Sequence, residues 1–201
     1  MKKLLLLLGI IGILTFLNQA QAAIIVDTGS GPIETEGWVI DGDNHQSLAA
    51  KFSLTQGYAL TDIYGWMGLA GPSGTAKISI YGDAGVIPST SILYSQDLSL
   101  TNPAVNWYGL SGLNWNLASG NYWLVFEPGS SQLEAFMPSP SASPLLNEAF
   151  YLPGAGVWQQ NNIMDLGIRI LGNPTATPEP ATMSLLGLGL LGLMGFKRKK
   201  L

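Results

Sequence analysis

An all-β fold, an antiparallel β-sandwich of jelly-roll type, is what residues 23–172 predict, and three observations carry that expectation. Apolar and polar residues alternate in short runs, clusters of Gly, Pro, Asn and Asp separate the runs, and no stretch sustains the 3.6-residue period of a helix. Many short strands joined by turn residues bury their apolar faces by pairing two sheets around one core. The sequence flanks this body with a signal peptide over 1–22 and a hydrophobic helix over 181–196.

The elements follow in chain order. Lys2-Lys3 form a charged start, Leu4–Leu17 an apolar core, and Ala20-Gln21-Ala22 a small-residue cleavage site, which places the cut after Ala22. An uncleaved signal anchor is the alternative. In the body, Ile78-Ser79-Ile80-Tyr81, Leu98-Ser99-Leu100 and Leu166-Gly167-Ile168-Arg169-Ile170 alternate as half-buried strands do. Tyr122-Trp123-Leu124-Val125-Phe126 is apolar throughout, as suits a central strand covered on both faces. Turns are predicted at Asp41–Asn44, Gly71–Gly74, Gly82–Gly85, Ala118–Asn121 and Glu127–Ser130. The low-complexity run Pro138–Pro144 reads as an exposed loop on the domain, and Asn173–Thr177 as a semi-extended linker.

Charge is distributed unevenly. Lys2, Lys3 and Lys197–Lys200 hold six of the nine basic residues, so residues 23–177 keep three bases against twelve acids, a formal charge of -9. Such a surface repels phosphate backbones and excludes nucleic acid as a partner. The chain has no cysteine and one histidine, which rules out thiol chemistry, disulfide staples and multi-histidine metal centres.

The C-terminus is the most specific part of the sequence. Pro178-Glu179-Pro180 precedes the apolar run Ala181–Phe196, and Lys197-Arg198-Lys199-Lys200 follow it. As a helix the run spans only about 24 Å against a hydrocarbon core of roughly 30 Å. Basic residues cost about 2.5–3.5 kcal/mol each at mid-membrane, so the segment halts with its charges on the cytoplasmic side. Gly187-Leu188-Gly189-Leu190-Leu191-Gly192 matches a dinucleotide fingerprint in letters only, since no βαβ unit surrounds it.

This order of tripeptide, Leu/Gly-rich helix and basic end resembles the PEP-CTERM sorting signal of exported bacterial proteins over Pro178–Leu201. The resemblance implies processing by an exosortase, a membrane-embedded cysteine protease or transpeptidase. Pro178, Glu179 and Pro180 would be the recognition tripeptide, and Lys197, Arg198, Lys199 and Lys200 the retention charges. It implies export through the inner membrane, transient anchoring there, and delivery to the envelope or beyond. An ordinary single-span anchor after a Pro-rich linker is the alternative. Ala49–Leu54, Ile78–Asp83 with Pro88-Ser89-Thr90, and Leu117–Leu124 are also similar to β-sandwich ectodomains found ahead of such signals, which supports the fold and adds little on function.

No catalytic constellation stands out. His45 lies in a turn-like Asp-Gly-Asp-Asn-His stretch, no G-x-S-x-G elbow is present, and none of the twelve body acids is singled out as half of a glycosidase pair. Asp41, Asp43 and Asn44 offer alternating oxygen donors suited to a structural calcium ion, although the glycine and terminal glutamate of an EF-hand loop do not follow in register. Six tryptophans are many for this length; core packing is the default, with Trp115 and Trp107 the candidates for an exposed, sugar-stacking indole. The expectation is a protein without catalytic activity or cofactor, structural or adhesive in an extracellular polysaccharide matrix. A lectin-like module with outward aromatics and calcium is second, and a glycan hydrolase third.

Overall fold

Antiparallel pairs nested one inside the next organise the body. The computed structural model describes residues 22–175 apart from 34, 35, 131, 141–144, 146, 153, 155 and 162. Ala20, the sorting tripeptide, the apolar run 181–196 and the basic end therefore lie outside the described residues. The innermost pair joins β5 (Gly74–Asp83) to β6 (Pro88–Leu100). Around it β4 (Tyr58–Leu69) pairs with β7 (Asn106–Leu117), and β3 (Ser47–Leu54) with β8 (Gly120–Pro128). The outermost pair is β1 (Ala23–Asp27) with β12 (Ile168–Pro174).

Such a nested hairpin, rolled so that alternate pairs fall in different layers, is a jelly roll. One sheet runs β1-β12-β4 and continues on the far side of β4 with both β7 and β9 (Glu134–Met137), the latter carrying β2 (Trp38–Asp41) at its edge. The other runs β11-β10-β3-β8-β5-β6, where β10 (Glu148–Leu152) and β11 (Val157–Asn161) form an added hairpin. The fold is the expected sandwich of two antiparallel six-stranded sheets.

The turn chemistry accounts for the register. All five predicted turns fall at strand ends or between strands, and Gly85 and Gly120 sit at φ 95 and 156, where a side chain is disfavoured. Alternation then sorts the residues. Leu48, Ala50, Phe52 and Leu54 of β3 point between the sheets with Leu124, Phe126, Ile78, Ile80, Ile63 and Ile168, while Ala49, Trp123 and Val125 belong to a separate apolar cluster. As expected, β8 is covered on both faces, with Trp123, Leu124, Val125 and Phe126 all at 0 % exposure.

Three boundaries differ from the sequence reading. β12 starts at Ile168, not Leu166, because Leu166 and Gly167 are drawn into a loop: the Leu166 amide donates to Glu148, and the Gly167 carbonyl accepts from Trp66 N at 2.8 Å. The strand then runs through Asn173 and Pro174, paired with Ala59 and Tyr58, so the first residues of the expected linker belong to the sheet. Pro138 and Pro140 are buried, whereas the run from 138 was expected to be exposed; the Ser139 hydroxyl fixes the segment by donating to the Met164 carbonyl.

Close packing at β4–β7 yields a first prediction. A Cβ at Gly109 would lie 1.9 Å from the Ile63 carbonyl oxygen and 2.7 Å from Tyr64 Cα, both backbone atoms that no rotamer change can move. Gly109→Ala is expected to destabilise by about 1–3 kcal/mol. Gly154→Ala, whose Cβ would meet nothing within 4 Å, should stay within about 0.5 kcal/mol of the parent. Paired urea titrations of the two variants give the comparison.

Candidate functional site

The outer face of the second sheet carries more chemistry than a solvated sheet face needs. Ser47, Ala49 and Lys51 of β3 alternate outward, beside Trp123, Val125 and Glu127 of β8 and Ser79 and Tyr81 of β5. Ala49, Val125 and Ala149 are small and fully buried. They form a low floor, and larger side chains from the flanking strands reach over it.

On one side the floor is closed by a polar bracket over Trp123. Lys51, 7 % exposed, places its ammonium 3.0 Å from Asp83 Oδ2 and donates to the Gly85 carbonyl at 2.7 Å. The Trp123 indole N–H donates to Asp83 Oδ1 at 2.9 Å, and the Gly85 amide to the same oxygen at 3.0 Å. Burial works against the Asp83 charge, but the Trp123 and Lys51 donors outweigh it and hold the carboxyl below its usual range. The bracket is structural.

On the other side the face opens into a cleft of about 260 Å³ lined by His45, Ser47, Tyr81, Glu127, Pro128, Tyr151 and Trp158. Trp158 of β11 sits edge-on to Tyr81, with ring centroids 6.4 Å apart, and inclined to its cross-strand neighbour Tyr151 at 5.5 Å. Glu127 anchors the polar wall. It accepts the Tyr81 hydroxyl at 2.8 Å on one oxygen and the Ser79 hydroxyl at 2.7 Å on the other. Burial, and then the Glu127 carboxylate, push the Tyr81 phenol well above its ordinary range, so it stays a donor. Of the residues lining the cleft, Glu127 is the one acid.

Glu148, at the start of β10, serves a different purpose. Its buried carboxylate accepts the Asp165 amide at 2.7 Å and the Leu166 amide at 2.6 Å, pinning the loop before β12 where Asp165 adopts φ 49. Burial raises its pKa above the usual carboxylate range, and the two amides pull it back in part.

The residues singled out from sequence land elsewhere. Asp41 closes its own turn: Oδ1 accepts the amides of Asp43 at 2.8 Å and Asn44 at 3.2 Å, and Oδ2 accepts the Asn44 side-chain amide. The Asn44 side-chain amide above all lowers the Asp41 pKa; burial opposes it, and the backbone amides of Asn44 and Asp43 add to the lowering. Asp43 and Asn44 are exposed, and among the described residues no three His, Cys, Asp or Glu side chains converge as a metal site.

Trp115, the first candidate for an exposed indole, follows the core-packing default instead: it is 9 % exposed and stacked on Tyr94 with ring centroids 5.3 Å apart and planes within 9°. Its β7 position faces the core cluster, so flanking asparagines did not signal exposure. Trp107 is half-buried; the Arg169 guanidinium lies 4.4 Å from its ring centroid and Trp66 packs edge-on at 5.5 Å. Neither indole enters the cleft. His45 does, at its rim.

Sequence reasoning missed Tyr81, Glu127, Tyr151 and Trp158 as a group. Five strands supply the cleft, and only the folded register brings them together. The available signal was the outward phase of Ser47, Tyr81 and Glu127 once β3, β5 and β8 are placed side by side.

Comparison with known proteins addresses the opposite end of the chain. No curated protein matches it. Residues 176–199 match the family described as PEP-CTERM protein-sorting motif, which covers the tripeptide, the apolar run and the basic residues through Lys199. The chain is therefore an exosortase substrate, an exported PEP-CTERM protein with a β-sandwich body.

Proposed function

We propose that the β-sandwich is delivered to the cell envelope or the extracellular matrix as a non-catalytic structural or adhesive protein, and that exosortase processing removes its hydrophobic tail. The observation that carries this reading is the short distance in sequence between body and signal. Thr175 still bonds to the sandwich through Gly57 O at 2.9 Å, and the sorting match begins at residue 176. A folded domain joined to a sorting signal by so few residues is suited to display.

The chemistry of the body supports a non-catalytic role. The outer-face cleft offers one carboxylate, already engaged by two hydroxyls, whereas glycoside hydrolysis canonically uses two facing acids about 5–10 Å apart. The formal charge of -9 over residues 23–177 keeps the body soluble and disfavours acidic partners. Partners on this reading are the exosortase and the membrane during sorting, then extracellular polysaccharide.

Mass spectrometry of the mature protein tests the processing step. In cells with an intact exosortase, the peptide containing Lys197–Lys200 is expected to be missing. It should persist in exosortase-deficient cells and when Pro178, Glu179 and Pro180 are replaced by alanine. A mature protein that keeps its basic end in exosortase-competent cells would refute the proposal.

A further inference from the structure

We propose that the cleft on the outer face of the second sheet is a glycan-binding site that holds one or two neutral sugar rings of a polysaccharide, stacking them on Trp158 and Tyr151 and hydrogen-bonding them through Glu127 and Ser47. This deepens the adhesive reading by giving it a ligand class. It rests on four observations made on the body alone.

The first is shape. At about 260 Å³ the cleft falls just below the range of roughly 300–1,000 Å³ occupied by drug-sized ligands. That suits one or two rings of a chain, not a long buried segment. The second is the aromatic wall. Tyr151 and Trp158 are half-buried, and Tyr81 is buried beside them, so the cluster spans core and solvent as amphipathic stacking residues do.

The third is unspent hydrogen-bonding capacity. Ser47 is 6 % exposed and on the outward phase of β3, and among the described residues its hydroxyl makes no hydrogen bond. The hydroxyl is not one of the buried, unpartnered side-chain atoms, so it is open to the cleft that it borders and free to bond a ligand there. Glu127 has room as well: each carboxylate oxygen has about two acceptor sites, and Tyr81 and Ser79 take one on each. Those two hydroxyls also fix the carboxylate's orientation, so the remaining lone pairs are pre-aimed. A sugar hydroxyl, both donor and acceptor, complements the pair.

The fourth is charge. Glu127 faces the ligand inside a body of formal charge -9, so uronate, sulfate or phosphate groups would be repelled. His45 projects from a turn at φ 51, an uncommon backbone state for a residue with a side chain, and brings its imidazole to the rim. Two other cavities among the described residues lack this combination. One is lined by Ile25, Val26 and Phe52 at the sheet edges, the other by the acidic turn around Asp41 and Asp43.

Affinity electrophoresis of the protein as purified from its culture gives the test, in gels containing dextran, galactomannan or hydroxyethylcellulose, with alginate as the uronate polymer. At least one neutral polymer should retard the parent protein, and alginate should not. Trp158→Ala is expected to weaken retardation at least tenfold, and Glu127→Gln and Ser47→Ala about three- to tenfold each. Ser47→Ala removes one oxygen and leaves the β10–β11 hairpin intact, so it remains informative if Trp158→Ala unfolds that hairpin. No retardation by any neutral polymer, tighter retention by alginate, or unchanged binding by Ser47→Ala and Glu127→Gln would each overturn the site. The readout is independent of tail processing, so it and the sorting assay can fail separately.

Discussion

Trp123→Ala is expected to destabilise the body by about 3–5 kcal/mol, a large share of the roughly 5–15 kcal/mol that holds a domain folded. The indole is fully buried on β8, between β3 and β5, on the face away from the main core. Two losses combine in the variant. Removing the ring opens a cavity under Lys51 and Ile87, and Asp83 loses the indole N–H that accounts for one of its hydrogen bonds. Trp123→Phe keeps most of the volume and loses the donor, so it should fall between the variant and the parent. Urea unfolding followed by tryptophan fluorescence measures both, and a loss below 1 kcal/mol for Trp123→Ala would contradict the packing described.

Lys51→Met is the second large effect, about 3 kcal/mol at neutral pH. Removing one partner of a buried pair leaves the other uncompensated and costs about 3–5 kcal/mol. The lower end applies because the Asp83 side chain is 22 % exposed and keeps its bonds to Trp123 and Gly85. The pH dependence follows from the sign of the shift. Asp83 has a folded pKa lowered below its usual value, so its contribution is present above the ordinary carboxylate range and disappears as the pH falls through the folded value. The parent should therefore lose stability on acidification more steeply than Lys51→Met, and the two curves should converge at low pH. Because Lys51 and Trp123 act on the same carboxylate, the double variant should cost less than the sum of the single ones. Parallel curves down to acid pH would show that the pair contributes little.

How far the fold could be read from sequence depended on whether the signal was local. The alternation at Ile78–Tyr81, the unbroken run Tyr122–Phe126 and the five turn clusters are local patterns, and each corresponds to a strand or turn of the sandwich. Where tertiary contacts decide, local reading fell short. Leu166 and Gly167 alternate like strand residues but are held in a loop by Glu148 and Trp66, which lie far away in sequence. Pro138 and Pro140 look like solvated low complexity, yet both are buried, Pro138 close against Gly31 and Gly37.

The site followed the same division. The sorting motif is a linear signal and was legible in full. The cleft was not, because Ser47, Tyr81, Glu127, Tyr151 and Trp158 come from five strands and no two of them fall within three residues of each other. Trp115 is the converse case: polar neighbours at Asn114 and Asn116 made it a candidate for exposure against the core-packing default, whereas strand alternation turns the tryptophan inward when its neighbours face out.

The outermost pairing of the nested hairpin gives the body a polarity. Ala23 lies opposite Gly172, and Thr175 is bonded to Gly57 in the bend between β3 and β4, so the tether leaves from that pole. Ser47 begins β3 and Leu54 ends it, seven residues nearer the bend, a separation of about 23 Å at strand rise. The pole that carries the cleft thus stands off from the Thr175 end by most of the length of the sandwich. On the proposed function, a chain still moored in the bilayer would already present that pole to a polymer, and cutting the mooring would leave the grip unchanged.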